Sequence, residues 1–518
     1  MRIILVLRQV IGLGALFVLL IIAAPAQAQW MKAESPRFVV YSNGTEADLR
    51  EYVDQLETFE SLLRALHGLN MRETPRRPLQ LYLTRDLRDM RRIRPGSDET
   101  LGGFYAAGPD VIFGVANQAR ERNVRSSYSP ERGYVIRHEY VHHFMMQHFP
   151  FAYPSWVIEG YAEYFMTAHF EPDAVLVGRP MRPTTTGARD MPLETLLASS
   201  PWEFDAELRS IFYAQSWLLT HYLISDEGRR QMLGAYLQDV AGGGDPVAAM
   251  ETATGMPLAT LQRELRDYRL PVTRYPTASI PRAEITISRL PRSANDLLLE
   301  DVQLRWRHPQ RGENEDLLNT IRDRAARHQG DEFARMVLAR AEVRLGDRAT
   351  GESLARQAIA DNPEDVEALH LLASSLMERA ALEPDDADAL NAEARTYLAT
   401  GYAADPEHFQ TLYAIARNGG GRMIPAPEHA AEAYLAALEV APQVSQLRLE
   451  TGVALLGRDQ LDYGEHVLAP LLHSPHAPGV ARYAQNLVEA ARAGQSLASI
   501  GWNNDESDET GDDEQDQD

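Results

Sequence analysis

At 518 residues, with 44% hydrophobic and 24% charged side chains, the chain has the makeup of a soluble globular protein with room for two or three domains, each large enough to bury a core. A net charge of −23 disfavours nucleic acid as a partner, since that needs a basic footprint. The absence of cysteine excludes disulfides, a thiol nucleophile, a zinc finger and a lipid-anchor lipobox.

Residues 1–28 read as a secretory signal. Arg2 and Arg8 flank the start of an apolar run at 10–24 that is short for a bilayer, and Ala26-Gln27-Ala28 supplies a small-x-small cleavage site. The mature chain is then expected to start near Gln29 and to be periplasmic or secreted. The alternative is an uncleaved N-terminal anchor, the one route to membrane association. A disulfide-free exported protein suits a bacterial envelope better than eukaryotic secretion.

Short β-rich runs at 37–41 and 79–83 bracket a helical stretch at 46–69, where Leu49, Tyr52, Val53, Leu56, Phe59, Leu62 and Leu63 fall at helical spacing. Gly102-Gly103-Phe104-Tyr105 and Val111-Ile112-Phe113 read as two further strands about the turn Gly108-Pro109-Asp110, the first a candidate edge for aligning a peptide. The first lobe is therefore mixed α/β.

Ser129-Pro130-Glu131 marks a helix start and Pro150 its end. In the middle lies His138-Glu139-Tyr140-Val141-His142, whose four-residue spacing puts both imidazoles on one helix face, where they can share a metal. His143 is rotated about 100° away and is expected, with His148, to be structural or exposed. A catalytic zinc needs three protein ligands and one open position, so the pair is one ligand short. A second helix near Ser155 carries Glu159, with sixteen residues between it and His142, as the candidate third ligand. Further helices are expected at 191–199, 208–224, 227–240 and 257–268, followed by a proline-rich and then β-like boundary at 271–311.

From 312 to about 497 the pattern is almost all helical and loosely repeated: Ala358, Gly401 and Ala437 each stand five residues before a proline, at Pro363, Pro406 and Pro442. This predicts an irregular array of helical hairpins. The tail at 498–518, with nine acids and no base between 504 and 518, is expected to be solvated.

The motif His138-Glu139-Tyr140-Val141-His142, followed by Trp156-Val157-Ile158-Glu159-Gly160-Tyr161-Ala162-Glu163, resembles the gluzincin metallopeptidases, and within them the exported bacterial peptidase-MA-like group, many of which join such a domain to helical repeats. The similarity spans residues 36–270, with tight motifs at 138–142, 156–163 and 213–217. The stretches LARQAIADNPED, YLATGYAADPEH and YLAALEVAPQ resemble the second helix and exit of tetratricopeptide repeats. They depart from that pattern in a first spacing of 43 residues and in lacking the first-helix aromatic in most repeats.

The resemblance implies an α+β chain: a thermolysin-like zincin domain at 29–270 with a mixed N-lobe and a helical C-lobe, then all-α repeats at 312–497. It implies Zn²⁺ held by His138, His142 and Glu159, with Glu139 as the general base that takes a proton from water and returns it to the leaving amine. Glu163 would hold the second N–H of a ligand histidine, unless it is only a solvated helix glutamate. Tyr213, in Tyr213-Ala214-Gln215-Ser216-Trp217, would donate to the oxyanion, unless it is a plain core tyrosine. The implied activity is hydrolysis of peptide bonds in a peptide or protein substrate, with a possible protein partner at the repeats. The competing reading is a non-catalytic scaffold whose repeats bind that partner and whose zinc is structural or vestigial. Glu139 favours the enzyme, because a purely structural site needs no base.

Overall fold

The computed structural model describes residues 29–97, 99, 101–119, 133–180, 190–307, 314–475 and 477–500. The signal-like segment 1–28, the helix start at 129–131 and the acidic stretch 504–518 lie outside the described residues. The chain is mixed α and β, with its main sheet built from residues 31–117 and a returning strand at 286–289, and a long helical region after it.

β1 (Met31–Glu34) and β2 (Phe38–Ser42) pair antiparallel, and α1 (Glu46–Leu66) crosses over to β3 (Leu79–Thr84), which runs parallel to β2. Thr45 caps α1 by accepting from Asp48 N. The helix stops at Leu66 rather than 69, where Gly68 takes a φ of 68° and turns the chain away. α2 (Leu87–Ile93), which the sequence pattern does not predict, starts at an Asp86 cap and leads to β4 (Gly103–Ala107) and β5 (Ile112–Asn117). β5 pairs with β3 on its far side, so β4 is left as an edge strand. Alternation sorts the two faces of the sheet: Leu79, Leu81 and Leu83 join the core beneath α1, while Tyr82 and Phe113 point into a second core on the opposite face.

α3 (Tyr134–His148) and α4 (Ser155–Met166) follow, then the hairpin β6 (His169–Glu171) and β7 (Ala174–Val177). The helical lobe consists of α5 (Leu193–Ala198), α6 (Ala206–Ile224), α7 (Glu227–Ala241), α8 (Pro246–Thr254) and α9 (Leu258–Asp267). α8 is not among the helices expected from the sequence: Asp245 caps it and Pro246 opens it, but its short apolar run carries little periodic signal.

The boundary at 271–311 is more than a linker. β8 (Thr273–Pro276) pairs with β7, β9 (Thr286–Arg289) pairs with β1, and α10 (Ala294–Trp306) is buried on two sides. Leu298, Leu299 and Val302 pack into the sheet core, whereas Leu297 and Leu304 begin the next core along. A helix apolar on two faces joins two layers, which explains why this segment is structural.

After α11 (Glu315–Ala325) the helices pair: α12 (Glu332–Arg344) with α13 (Arg348–Asp361), α14 (Val366–Leu382) with α15 (Ala387–Ala404), α16 (Phe409–Asn418) with α17 (Glu428–Val440), and α18 (Ser445–Leu456) with α19 (Leu461–Leu468), before α20 (Pro478–Arg492). Pro363, Pro406 and Pro442 lie just beyond the second helix of three of these pairs, where a proline cannot continue the helix. The array returns to the sheet lobe through charged contacts, Arg77 with Asp405 and Arg344 with Asp110. No described helix is long and apolar enough to cross a membrane.

Candidate metal centre

α3 and α4 bring three donor groups together. His138 Nε2 and His142 Nε2 are 3.1 Å apart, and Glu159 Oε2 lies 3.5 Å from the first and 3.6 Å from the second. A tetrahedral ion with ligands at 2.0–2.1 Å requires donor separations of about 3.3–3.4 Å, so the three spacings fit. Two imidazoles and one carboxylate are also the donor set of an open catalytic zinc site, one position short of four.

Glu159 is fully buried, and its neighbour Gly160 shows how α4 is held. A Cβ on Gly160 would collide with Thr220 Oγ1 and the Ser216 carbonyl oxygen, so glycine is what lets α6 lie against α4. One turn beyond Glu159, Glu163 Oε1 stands 3.5 Å from His138 Nδ1, where a carboxylate can fix the ring's tautomer and orientation.

The pocket's electrostatics favour a cation. Burial alone would push His138 down, but contact with Glu159 and the charges of Glu163, Glu139 and Glu159 raise it to about 9. Glu139 is half-buried on α3, and its charge also adds to the burial that pushes the Tyr105 phenol well above its usual value. Tyr105 belongs to β4, the edge strand of the sheet among the described residues, and its hydroxyl is 2.9 Å from His143 Nδ1, so that edge runs beside α3. Tyr213 is half-buried on α6, one turn before Ser216, with its ring edge-on to Phe212 at 6.2 Å.

Two supports for the site have no counterpart among the residues singled out from the sequence. Tyr140, inside the motif, donates to Glu60 Oε2 at 2.7 Å, and Arg64 Nε donates to Glu60 Oε1 at 2.6 Å, all three groups being buried. Burial raises the Glu60 carboxyl, against the pull of Tyr140 and Arg64. Two ion-pairing residues four apart on the apolar face of α1 were the available signal. The second support comes from the helical array: Gln443 Nε2 donates to Gln147 Oε1 at 2.7 Å and lies 3.3 Å from His143 Nε2, while Ser155 Oγ at the start of α4 donates to the His473 carbonyl at 3.3 Å.

At the end of α3, Arg64 Nη2 lies 3.2 Å from His148 Nε2, so the imidazole accepts and stays neutral. Burial first, then the Arg64 charge, lowers His148 from 6.5 to about 4. Between those values the unfolded chain binds a proton that the folded chain does not, so stability falls as pH falls from 6.5 towards 4, by up to about 1.4 kcal/mol per pH unit. Urea unfolding at pH 7 and pH 5 should therefore show a lower midpoint at pH 5, and His148→Gln should reduce that difference. An equal pH dependence in the variant would remove His148 as its source.

No family model matches the chain, and neither does any curated protein or solved structure.

Proposed function

We propose that the chain is a zinc-dependent peptidase of the gluzincin type, exported to the bacterial envelope, with tetratricopeptide-like repeats that offer a surface to a protein partner. One observation carries this reading: His138, His142 and Glu159 stand at tetrahedral spacing with Glu139 on the same helix. When bound, zinc would supply Lewis acidity that makes water nucleophilic near neutral pH and polarises the scissile carbonyl.

The chain's own groups do the rest. His138 and His142 bind as neutral imidazoles, and Glu163 takes the N–H at His138 Nδ1, leaving Nε2 as the donor. Glu139 accepts a proton from the attacking water and passes it to the leaving amine nitrogen. Tyr213 is assigned donation to the developing oxyanion. A peptide adds along the edge strand β4 through main-chain hydrogen bonds, beside α3, to which Tyr105 and His143 tie that strand.

The test is metal analysis of the purified protein combined with cleavage of a peptide library. About one zinc per chain is expected, and His142→Ala should lose both zinc and cleavage. Protein that holds zinc but cleaves no peptide would rule out the peptidase, and protein without zinc would rule out the whole reading.

A further inference from the structure

The turn between β4 and β5 runs into the helical array. Pro109 and Asp110 stand on the wall of a cleft that α12, α14 and α16, the first helices of three consecutive pairs, line together. Arg344, the last residue of α12, donates to Asp110 Oδ2 at 2.5 Å, and Gln410, in the first turn of α16, donates from Nε2 to the Asp110 carbonyl at 3.1 Å. Ile112, which opens β5, packs against the core that α16, α17 and α18 share. The turn thus takes a charged, a main-chain and an apolar contact from helices far along the chain.

The same array also reaches α3. Gln443, in the loop between α17 and α18, donates from Nε2 to Gln147 Oε1 at 2.7 Å, and Tyr105 of β4 meets His143 of α3 at 2.9 Å. Hairpin, array and α3 therefore form a closed ring of contacts, in which each element holds the other two.

A strand at a sheet edge needs such support. Among the described residues β4 pairs with β5 alone, and Ala106 and Ala107, which lead into the turn, are half-buried and bring little side chain to hold it. Edge elements with few buried contacts open locally at low free energy, so whatever fixes the turn fixes the strand.

We propose that the helical array is an internal clamp on this hairpin, with Asp110 as the positioning residue: held by Arg344 and Gln410, it sets the place of β4 relative to the donors on α3 and α4. The clamp stands on these contacts; its consequence for a substrate rests on the peptidase reading above. Asp110 acts through the strand and not on the reacting atoms. An extended peptide that adds to β4 is held by main-chain groups, which every sequence carries, so a loosened strand loses affinity for all peptides alike.

The test compares the full-length parent with Arg344→Ala/Gln410→Ala, and with Arg344→Lys, which keeps the charge. Hydrogen exchange across residues 103–117 is expected to speed up about tenfold in the double variant, from the loss of one charged and one neutral hydrogen bond, while β2 and β3 exchange as in the parent and so report an intact fold. Zinc content should stay the same. KM should rise about tenfold, equally for peptides of unlike sequence, with kcat kept, the pattern of lost uniform binding. Arg344→Lys should remain close to the parent in both measurements. Unchanged exchange in the hairpin overturns the clamp, whatever the activity. A faster hairpin with unchanged KM overturns Asp110 as a positioning residue, and so does a fall in kcat or in zinc content, which would put these contacts in the general fold of the site and not in the alignment of a peptide. If the parent itself cleaves no peptide, the peptidase reading has failed, and the exchange result still decides the clamp.

Discussion

Glu139→Gln is expected to lower peptide hydrolysis by about 10²–10⁴-fold while the protein keeps its full complement of zinc. The substitution preserves shape and removes both the charge and the ability to take a proton. Glu139 follows His138 directly, so on α3 it points beside the imidazole face rather than along it, and it is not one of the three converging donors. Its charge nevertheless reaches the site, raising both His138 and Tyr105. The predicted pattern is therefore a loss in kcat with unchanged metal stoichiometry and an unchanged melting temperature. A variant within tenfold of the parent would remove Glu139 from the chemistry. Loss of zinc along with activity would make it part of the metal support instead.

How much of this arrangement was legible depended on whether a residue's partners were local. His138 and His142 lie on one helix and Glu159 and Glu163 on the next, and the four-residue spacing within each pair places it on one face; what joined the two pairs was the resemblance to the gluzincins rather than periodicity. The β2–α1–β3 crossover was legible for a similar reason, because its apolar positions repeat at one period over a long stretch. Glu60 and Gln443 were not legible. Glu60 reaches Tyr140 across 80 positions of sequence and Gln443 reaches Gln147 across 296, and no periodicity relates residues so far apart. The segment around α10 failed differently: a helix with leucines on two faces has little amphipathic signal, and a proline-rich approach makes it resemble a linker. His143 shows the limit of the face argument. Its rotation from His142 argues against a shared metal ion, yet the same rotation sends it to Tyr105 and Gln443, where it ties the edge strand and the helical array to α3.

Gly160→Ala is the most severe test of the packing behind the site, because two ordinary rules predict opposite signs. In an exposed helix interior, replacing glycine by alanine stabilises by about 1 kcal/mol. Gly234 in α7, with nothing within 4 Å of an added Cβ, should behave that way. At Gly160 the new Cβ would strike Thr220 Oγ1 and the Ser216 carbonyl oxygen and come within 2.7 Å of the Ser216 carbonyl carbon. Two of those atoms are backbone of α6, so no rotamer change relieves the contact and the helices must separate, at a cost of about 1–3 kcal/mol or more. Glu159 is the preceding residue, so its carboxylate shifts with α4 and the 3.5 Å and 3.6 Å spacings to the two histidines are lost together. Zinc affinity should fall by about 10–100-fold, as when an outer support of a metal ligand is removed. Thr220→Ala in the same background should restore only part of the stability, since the Ser216 carbonyl stays in place. Zinc titration and thermal melts of Gly160→Ala beside Gly234→Ala decide the matter. A Gly160→Ala protein that melts higher than the parent and keeps its zinc affinity would show that α6 does not hold Glu159 where the two histidines need it.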